Sequence, residues 1–167
     1  MRYFFLLMAG CIIFVSGCGS YYSRRKTFVD LEEQRRAKLK FQSVMDMITS
    51  GEIAPVEFDF DKYEIRPEAY DTLDKIAAIL IEYPEYKIVI EGHCDERGTY
   101  EYNEQLALRR TNAVKSYLVE KGVQPDSVKA IGFGKREPLA LSGTERAHQL
   151  NRRVDFTLTD RYWKAVF

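Results

Sequence analysis

Val56, Phe58 and Phe60 alternate with Glu57, Asp59 and Asp61, a period of two that predicts a strand with one buried face. Arg66-Pro67 then opens a helix, with proline suited to its first turn. Leu73, Ile76, Ala77, Leu80 and Ile81 form the expected core face of that helix, and Tyr83-Pro84 stops it. Tyr86 to Ile90 is a near-continuous apolar run, expected as a strand covered on both sides. Glu101 to Lys121 reads as a second helix closed by Gly122, and Val128 to Phe133 as a third strand. Thr144 caps a short helix through Leu150. Val154, Phe156 and Leu158 alternate with Asp155 and Thr157 to give a last strand. The order β-α-β-α-β-(α)-β predicts a two-layer α/β sandwich with a mixed sheet.

One residue breaks the pattern. On a helical wheel of about 100° per residue, Leu106, Ala113, Tyr117 and Val114 of the second helix form its apolar stripe. Arg110 and Asn103 fall inside that stripe, whereas Arg109 lies at its edge and can reach solvent. A core-facing guanidinium calls for a carboxylate, because an unpaired buried charge costs several kcal/mol.

Upstream, Phe41, Val44, Met45 and Ile48 repeat at helical spacing and Ser50-Gly51 ends the run. This helix, expected from Asp30, either packs on its own domain or docks a partner. Before it, residues 19–27 are polar and basic and read as a tether.

The 167 residues suffice for one ordinary domain with accessory segments. Acidic and basic residues balance at 25 each, so no overall field favours nucleic acid. Met1-Arg2 and the charge-free run that follows form a secretory signal, too short for a membrane span. Its end, Val15-Ser16-Gly17-Cys18, resembles the bacterial lipobox, whose cysteine carries lipid in the mature chain. An earlier match ending at Cys11 is poorer. With Cys11 removed and Cys18 acylated, Cys94 is the one free thiol, and no intramolecular disulfide can form.

In open α/β sheets, ligands sit beyond the carboxyl ends of strands. Here those ends lead into Asp61-Lys62-Tyr63 and Gly92-His93-Cys94-Asp95-Glu96-Arg97-Gly98. The two glycines permit close backbone approach and positive φ. Arg152 and Arg153 open the last strand. By parity Arg152 faces the core side and Arg153 pairs with Asp155. Asp95, Arg110, Asn103 and Arg152 together complement a zwitterion: a carboxylate for an ammonium, a guanidinium for a carboxylate. On residues alone a second reading stands beside it, in which Asp95 and Arg110 bridge each other and hold the loop to the helix. A thiol nucleophile from His93-Cys94 is disfavoured because adjacent side chains on an extended backbone point apart. A metal site from His93, Cys94, Asp95 and Glu96 is disfavoured because consecutive residues seldom converge on one ion.

The stretch Glu91-Gly92-His93-Cys94-Asp95-Glu96-Arg97-Gly98-Thr99, continuing through Asn103 and Arg109-Arg110, resembles OmpA-like peptidoglycan-binding domains. Phe58 to Tyr63 and Asn151-Arg152-Arg153 fit the same family in order, across roughly 55–159. With the lipobox, the likeness is to the family's lipoprotein branch, the peptidoglycan-associated lipoproteins. The resemblance implies a noncovalent, non-enzymatic wall binder without cofactor or metal. Asp95 would take the ammonium and Arg110 the carboxylate of diaminopimelate, with Asn103, Asp61 and Arg152 lining the site. It also implies export to the outer membrane, since Gly19 rather than Asp follows Cys18, and a periplasmic propeller partner, TolB. The expected organisation is a signal peptide at 1–17, a lipidated and partly helical linker at 18–54, the binding domain at 55–159 and a tail at 160–167. Cys94 departs from the family, which more often has Thr or Ala there. A third possibility is an interaction scaffold with a vestigial wall site, using the 30–50 helix and the Arg161-Tyr162-Trp163 tail.

Overall fold

The structure, a computed structural model, describes residues 28–160. The signal segment, Cys18, the basic tether and the aromatic tail at 161–167 lie outside the described residues. The element order is α1 (Phe28–Ser50), α2 (Tyr70–Glu82), β1 (Lys87–His93), α3 (Tyr100–Glu120), β2 (Val128–Gly134), α4 (Glu145–Asn151) and β3 (Val154–Thr159). A 3₁₀ turn at Pro67–Ala69 leads into α2. The sheet is three-stranded and mixed, in the order β2-β1-β3. β1 runs parallel to β2, with Ile90 opposite Ala130, and antiparallel to β3, with Ile90 opposite Phe156. The carboxyl end of β1 and the amino end of β3 therefore lie at one edge of the sheet.

Each helix starts or stops where its sequence says it should. Thr99 caps α3 by accepting from the Tyr102 amide at 3.1 Å, and Thr144 caps α4 by accepting from the Ala147 amide at 3.3 Å. The end of α3 is closed by Val123 N–H donating to Leu118 O at 3.0 Å and Gly122 N–H to Val119 O at 2.9 Å. That paired closure satisfies carbonyls the helix leaves open. The core gathers Leu73, Ile76, Ile88, Ile90, Val114 and Leu118 from α2, α3 and the sheet, with Tyr86 from the turn before β1. α1 contributes Ala37, Phe41 and Val44 to the same core. It is also tied to its neighbours by Tyr86 Oη donating to Gln34 O at 3.0 Å and by a 2.6 Å Lys40–Glu82 ion pair.

α3 lies hard against the sheet. A Cβ on Gly92 would sit 2.6 Å from Ala107 O, and one on Gly132 would sit 2.7 Å from Glu104 O and Leu108 N. These are backbone atoms that cannot swing aside, so glycine is required for the close approach.

Three expectations fail in detail. The predicted strand at 56–60 is reduced to one antiparallel bridge, Glu57 to Arg153, flanked by Val154 N–H donating to Val56 O at 2.9 Å and Phe58 N–H to Arg152 O at 3.0 Å. The reason is competition for carbonyls. Phe58 O accepts from Arg152 Nε at 3.1 Å, and Asp59 O accepts from Arg110 Nη2 at 3.1 Å and from the Lys62 amide at 3.2 Å. Phe60, expected on the buried face, is 55% exposed. On α2, Ile81 is exposed, while Ile79 and Tyr83 are buried. α1 covers that flank, where Lys40 reaches both Glu82 and the Tyr83 ring.

Candidate functional site

At the shared sheet edge the loop after Phe60, the loop after β1, the first turns of α3 and the residue before β3 enclose a pocket of about 160 Å³. Asp61, Asp95, Asn103, Arg110 and Arg152 all line it, so the five residues expected at the wall-binding site meet in one place. Phe60, Cys94, Arg97, Gly98, Tyr102 and Leu106 complete the wall.

Arg110 is wholly buried on α3, as its place in the apolar stripe requires. Its partners differ from expectation. Nε donates to Lys62 O at 2.8 Å, Nη1 to His93 O at 3.0 Å and to Cys94 Sγ at 3.4 Å, and Nη2 to Asp59 O at 3.1 Å. The Phe58 ring lies against the guanidinium, 5.0 Å from centroid to carbon. Carbonyl dipoles and a ring face satisfy its hydrogen bonds, but no carboxylate among the described residues stands at ion-pair distance. Burial pulls its pKa below the ordinary guanidinium value, with Arg152 adding to the effect. Arginine nevertheless stays charged at physiological pH. The result is a preorganised positive charge on the pocket wall, held by carbonyls and without a carboxylate partner.

Asp95 is buried at 4% exposure and does not bridge Arg110. Its carboxylate is held by Arg97, whose amide, Nε and Nη2 donate at 3.2, 3.1 and 2.6 Å. Arg152 Nη1 adds a fourth bond at 3.0 Å. Desolvation pushes this carboxyl up, but the donors from Arg97 and Arg152 outweigh it and bring it down to about 2. Arg152 is itself fixed on Phe58 O, on Glu145 at 2.8 Å and on Gln149. Arg153, on the same strand face as Asp155 as parity predicts, donates to it through Nε at 2.9 Å.

Asn103 works as a brace. Its Nδ2 donates to Arg97 O at 2.8 Å, and its carbonyl accepts from Cys94 Sγ at 3.4 Å. Lys135 Nζ grips the same loop from outside, donating to Glu96 O at 3.1 Å and Gly98 O at 2.6 Å, while Gly98 sits at φ +91°. Asp61 holds a left-handed φ of 58° at the rim and accepts from Tyr102 Oη. Cys94 is buried, and burial pushes its thiol up to about 11 despite the opposing pull of Arg110. His93 faces Asp155 instead, with Nε2 at 3.4 Å from its carboxylate, so no thiolate–imidazole pair exists. Among the described residues no three of His, Cys, Asp and Glu converge as metal ligands.

Sequence reasoning assigned neither Arg97 nor Tyr102 nor Phe60 to the site. Arg97 carried a signal, since a residue two after Asp readily donates its amide to that side chain in an Asx turn. Tyr102 carried none, because its partner Asp61 is 41 positions away.

Residues 57–152 match the OmpA family. The chain belongs to that family. The peptidoglycan-associated lipoprotein of Pasteurella multocida is 40% identical over 149 residues, which span 89% of this chain and 93% of that protein. The crystal structure of the peptidoglycan-associated lipoprotein from Burkholderia pseudomallei superposes with a TM-score of 0.61 at 38% identity, covering 62% of this chain and 88% of that one. A putative MotB-like protein from Desulfovibrio vulgaris shares the fold, with a TM-score of 0.60 at 21% identity, covering 80% of this chain and 99% of that one. The OmpA-family domain thus has peptidoglycan-associated lipoproteins among its relatives, and the mixed α/β fold is theirs.

Proposed function

We propose that this protein is an envelope lipoprotein, anchored in the outer membrane through acylated Cys18, whose domain holds peptidoglycan without covalent chemistry. The ligand is the diaminopimelate of the wall's peptide stem. Arg110 clamps its carboxylate, Asp95 takes its ammonium, and Asn103, Asp61 and Arg152 shape the walls. The observation that carries this reading is the uncompensated guanidinium of Arg110, which stands ready for an anion beside a buried carboxylate. The lining holds three guanidiniums against two carboxylates, so a carboxylate on the ligand is favourably placed in it. The names of its relatives support the wall as the source of that ligand. Many copies on one membrane facing one polymer add effective concentration, so a modest affinity per site suffices. Within this reading the tether at 19–27 and α1 bridge membrane and wall, and a TolB-like propeller protein is the soluble partner in envelope constriction.

Sedimentation with purified sacculi tests the site. Wild type should pellet with the wall, and Asp95→Asn and Arg110→Lys should stay largely in the supernatant, with thermal melts verifying that both variants fold. Undiminished pelleting of both removes the assignment. A wall whose diaminopimelate carboxylate is amidated should bind more weakly. Metabolic labelling with radioactive palmitate should mark the wild-type chain and not Cys18→Ala.

A further inference from the structure

Asp95 is assigned to the ligand's ammonium above, yet both of its oxygens are already occupied. The two guanidiniums on it differ in freedom. Arg152 is only 5% exposed in its side chain and is locked on Phe58 O, Glu145 and Gln149. The Arg97 side chain is 37% exposed and lies on the pocket wall. Its backbone is fixed, with its carbonyl held by Asn103 and both flanking carbonyls held by Lys135. Of the two guanidiniums on Asp95 it is the one with room to turn, on a rigid base. It already has somewhere to go: Nη1 stands 3.6 Å from Glu145 Oε2, and the guanidinium lies over the Phe60 ring at 4.0 Å. Glu145 is 67% exposed in its side chain, and its Oε2 can receive Arg97 while Oε1 stays on Arg152.

We propose that Arg97 is a specificity-determining residue of this pocket. Its guanidinium occupies Asp95 as an internal substitute for an ammonium and yields that carboxylate to the ligand by turning onto Glu145. The proposal rests on the assignment of the pocket to a ligand bearing both an ammonium and a carboxylate. A ligand with a carboxylate alone engages Arg110 and leaves Arg97 in place. A ligand with both charges has to displace Arg97, and gains Asp95 only if its ammonium fits better than the guanidinium does. The pocket thus rejects cations that cannot simultaneously satisfy Arg110. It also keeps the second oxygen of a buried carboxylate, beyond the one Arg152 holds, from standing without a charged partner when no ligand is bound.

The test is titration of a soluble muropeptide with a free diaminopimelate terminus into the full chain, read by calorimetry. Because the Arg97–Asp95 contact is partly solvent-screened, Arg97→Ala should tighten binding by about two- to fivefold, and Arg97→Lys, which keeps a competing cation, should resemble wild type. With the diaminopimelate amine acetylated, the gain in Arg97→Ala should vanish. In wild type Glu145→Gln should weaken binding, and in the Arg97→Ala background that loss should shrink. Weaker or unchanged binding in Arg97→Ala overturns the proposal, because it makes Arg97 a ligand contact or a bystander. An Asp95→Asn variant that binds as well as wild type overturns instead the reading of the pocket on which it rests.

Discussion

Asp95 shows how one residue's ionisation becomes part of the fold. Its folded value of about 2 lies below the ordinary aspartate value because Arg97 and Arg152 donate to it, against the upward push of desolvation. A depressed carboxylate stabilises the folded state above its unfolded pKa, and that contribution fades as pH falls through the folded value. Here the window lies between about pH 4 and pH 2, and the contribution is about 2 kcal/mol. Urea denaturation should show wild type more stable than Asp95→Asn at neutral pH, with the gap closing on acidification through that window. A gap independent of pH would mean that the pairing contributes nothing through charge. Cys94 makes the opposite case. With its thiol pushed up to about 11 and 3% exposed, it is nearly all protonated and shielded at neutral pH. Iodoacetamide should label it slowly in the native protein and quickly in denaturant. Arg110 was legible as anomalous from the helical wheel, but its acceptors were not. Three of them are backbone carbonyls, which no sequence pattern advertises.

At the scale of elements, the site depends on how closely α3 approaches the sheet. Ala at position 92 would place its Cβ 2.6 Å from Ala107 O and 2.7 Å from Thr111 Cγ2. Overpacking of this kind costs about 1–3 kcal/mol. Gly92→Ala should lower the urea midpoint accordingly and reduce sacculus binding, because Arg110 and Asn103 ride on the displaced helix. Asn112→Ala, on the exposed face of α3, should change stability by less than about 0.5 kcal/mol. The helices and the three strands were readable because their periods are strong and their caps are in place. The 56–60 segment was misread because alternation reports which side chains are buried, and Val56 and Phe58 are indeed buried. It does not report where the backbone hydrogen bonds go. Past the single bridge to Arg153 they go to guanidiniums and a turn, so the segment serves the pocket and extends no ladder.

For the molecule as a whole, α1 is the element whose place was undecided. The stripe of Phe41, Val44, Met45 and Ile48 fits a partner's surface as well as its own domain, and only the packing against α2 and the common core distinguishes the two. Removing a nearly buried aromatic from that contact should cost about 2–4 kcal/mol. Phe41→Ala should therefore lower the melting temperature in a single cooperative transition. A separate early transition would show α1 detaching by itself.

The sequence by itself determined the α/β class, the helix boundaries, the set of loops that carry the chemistry, and four of the residues that meet in the pocket, while Asp61 came only with the family resemblance. Those features are written in local periodicity, in capping residues, and in polar side chains at positions where apolar ones belong. The tertiary structure decided who pairs with whom. Asp95 sits on Arg97, two residues on, and on Arg152, 57 residues on, and leaves Arg110 to carbonyls, because charges in a folded pocket choose partners by distance in space. It also decided that Arg97 occupies the carboxylate the ligand would need, since that contact depends on the loop being clamped by Asn103 and Lys135 from two other elements.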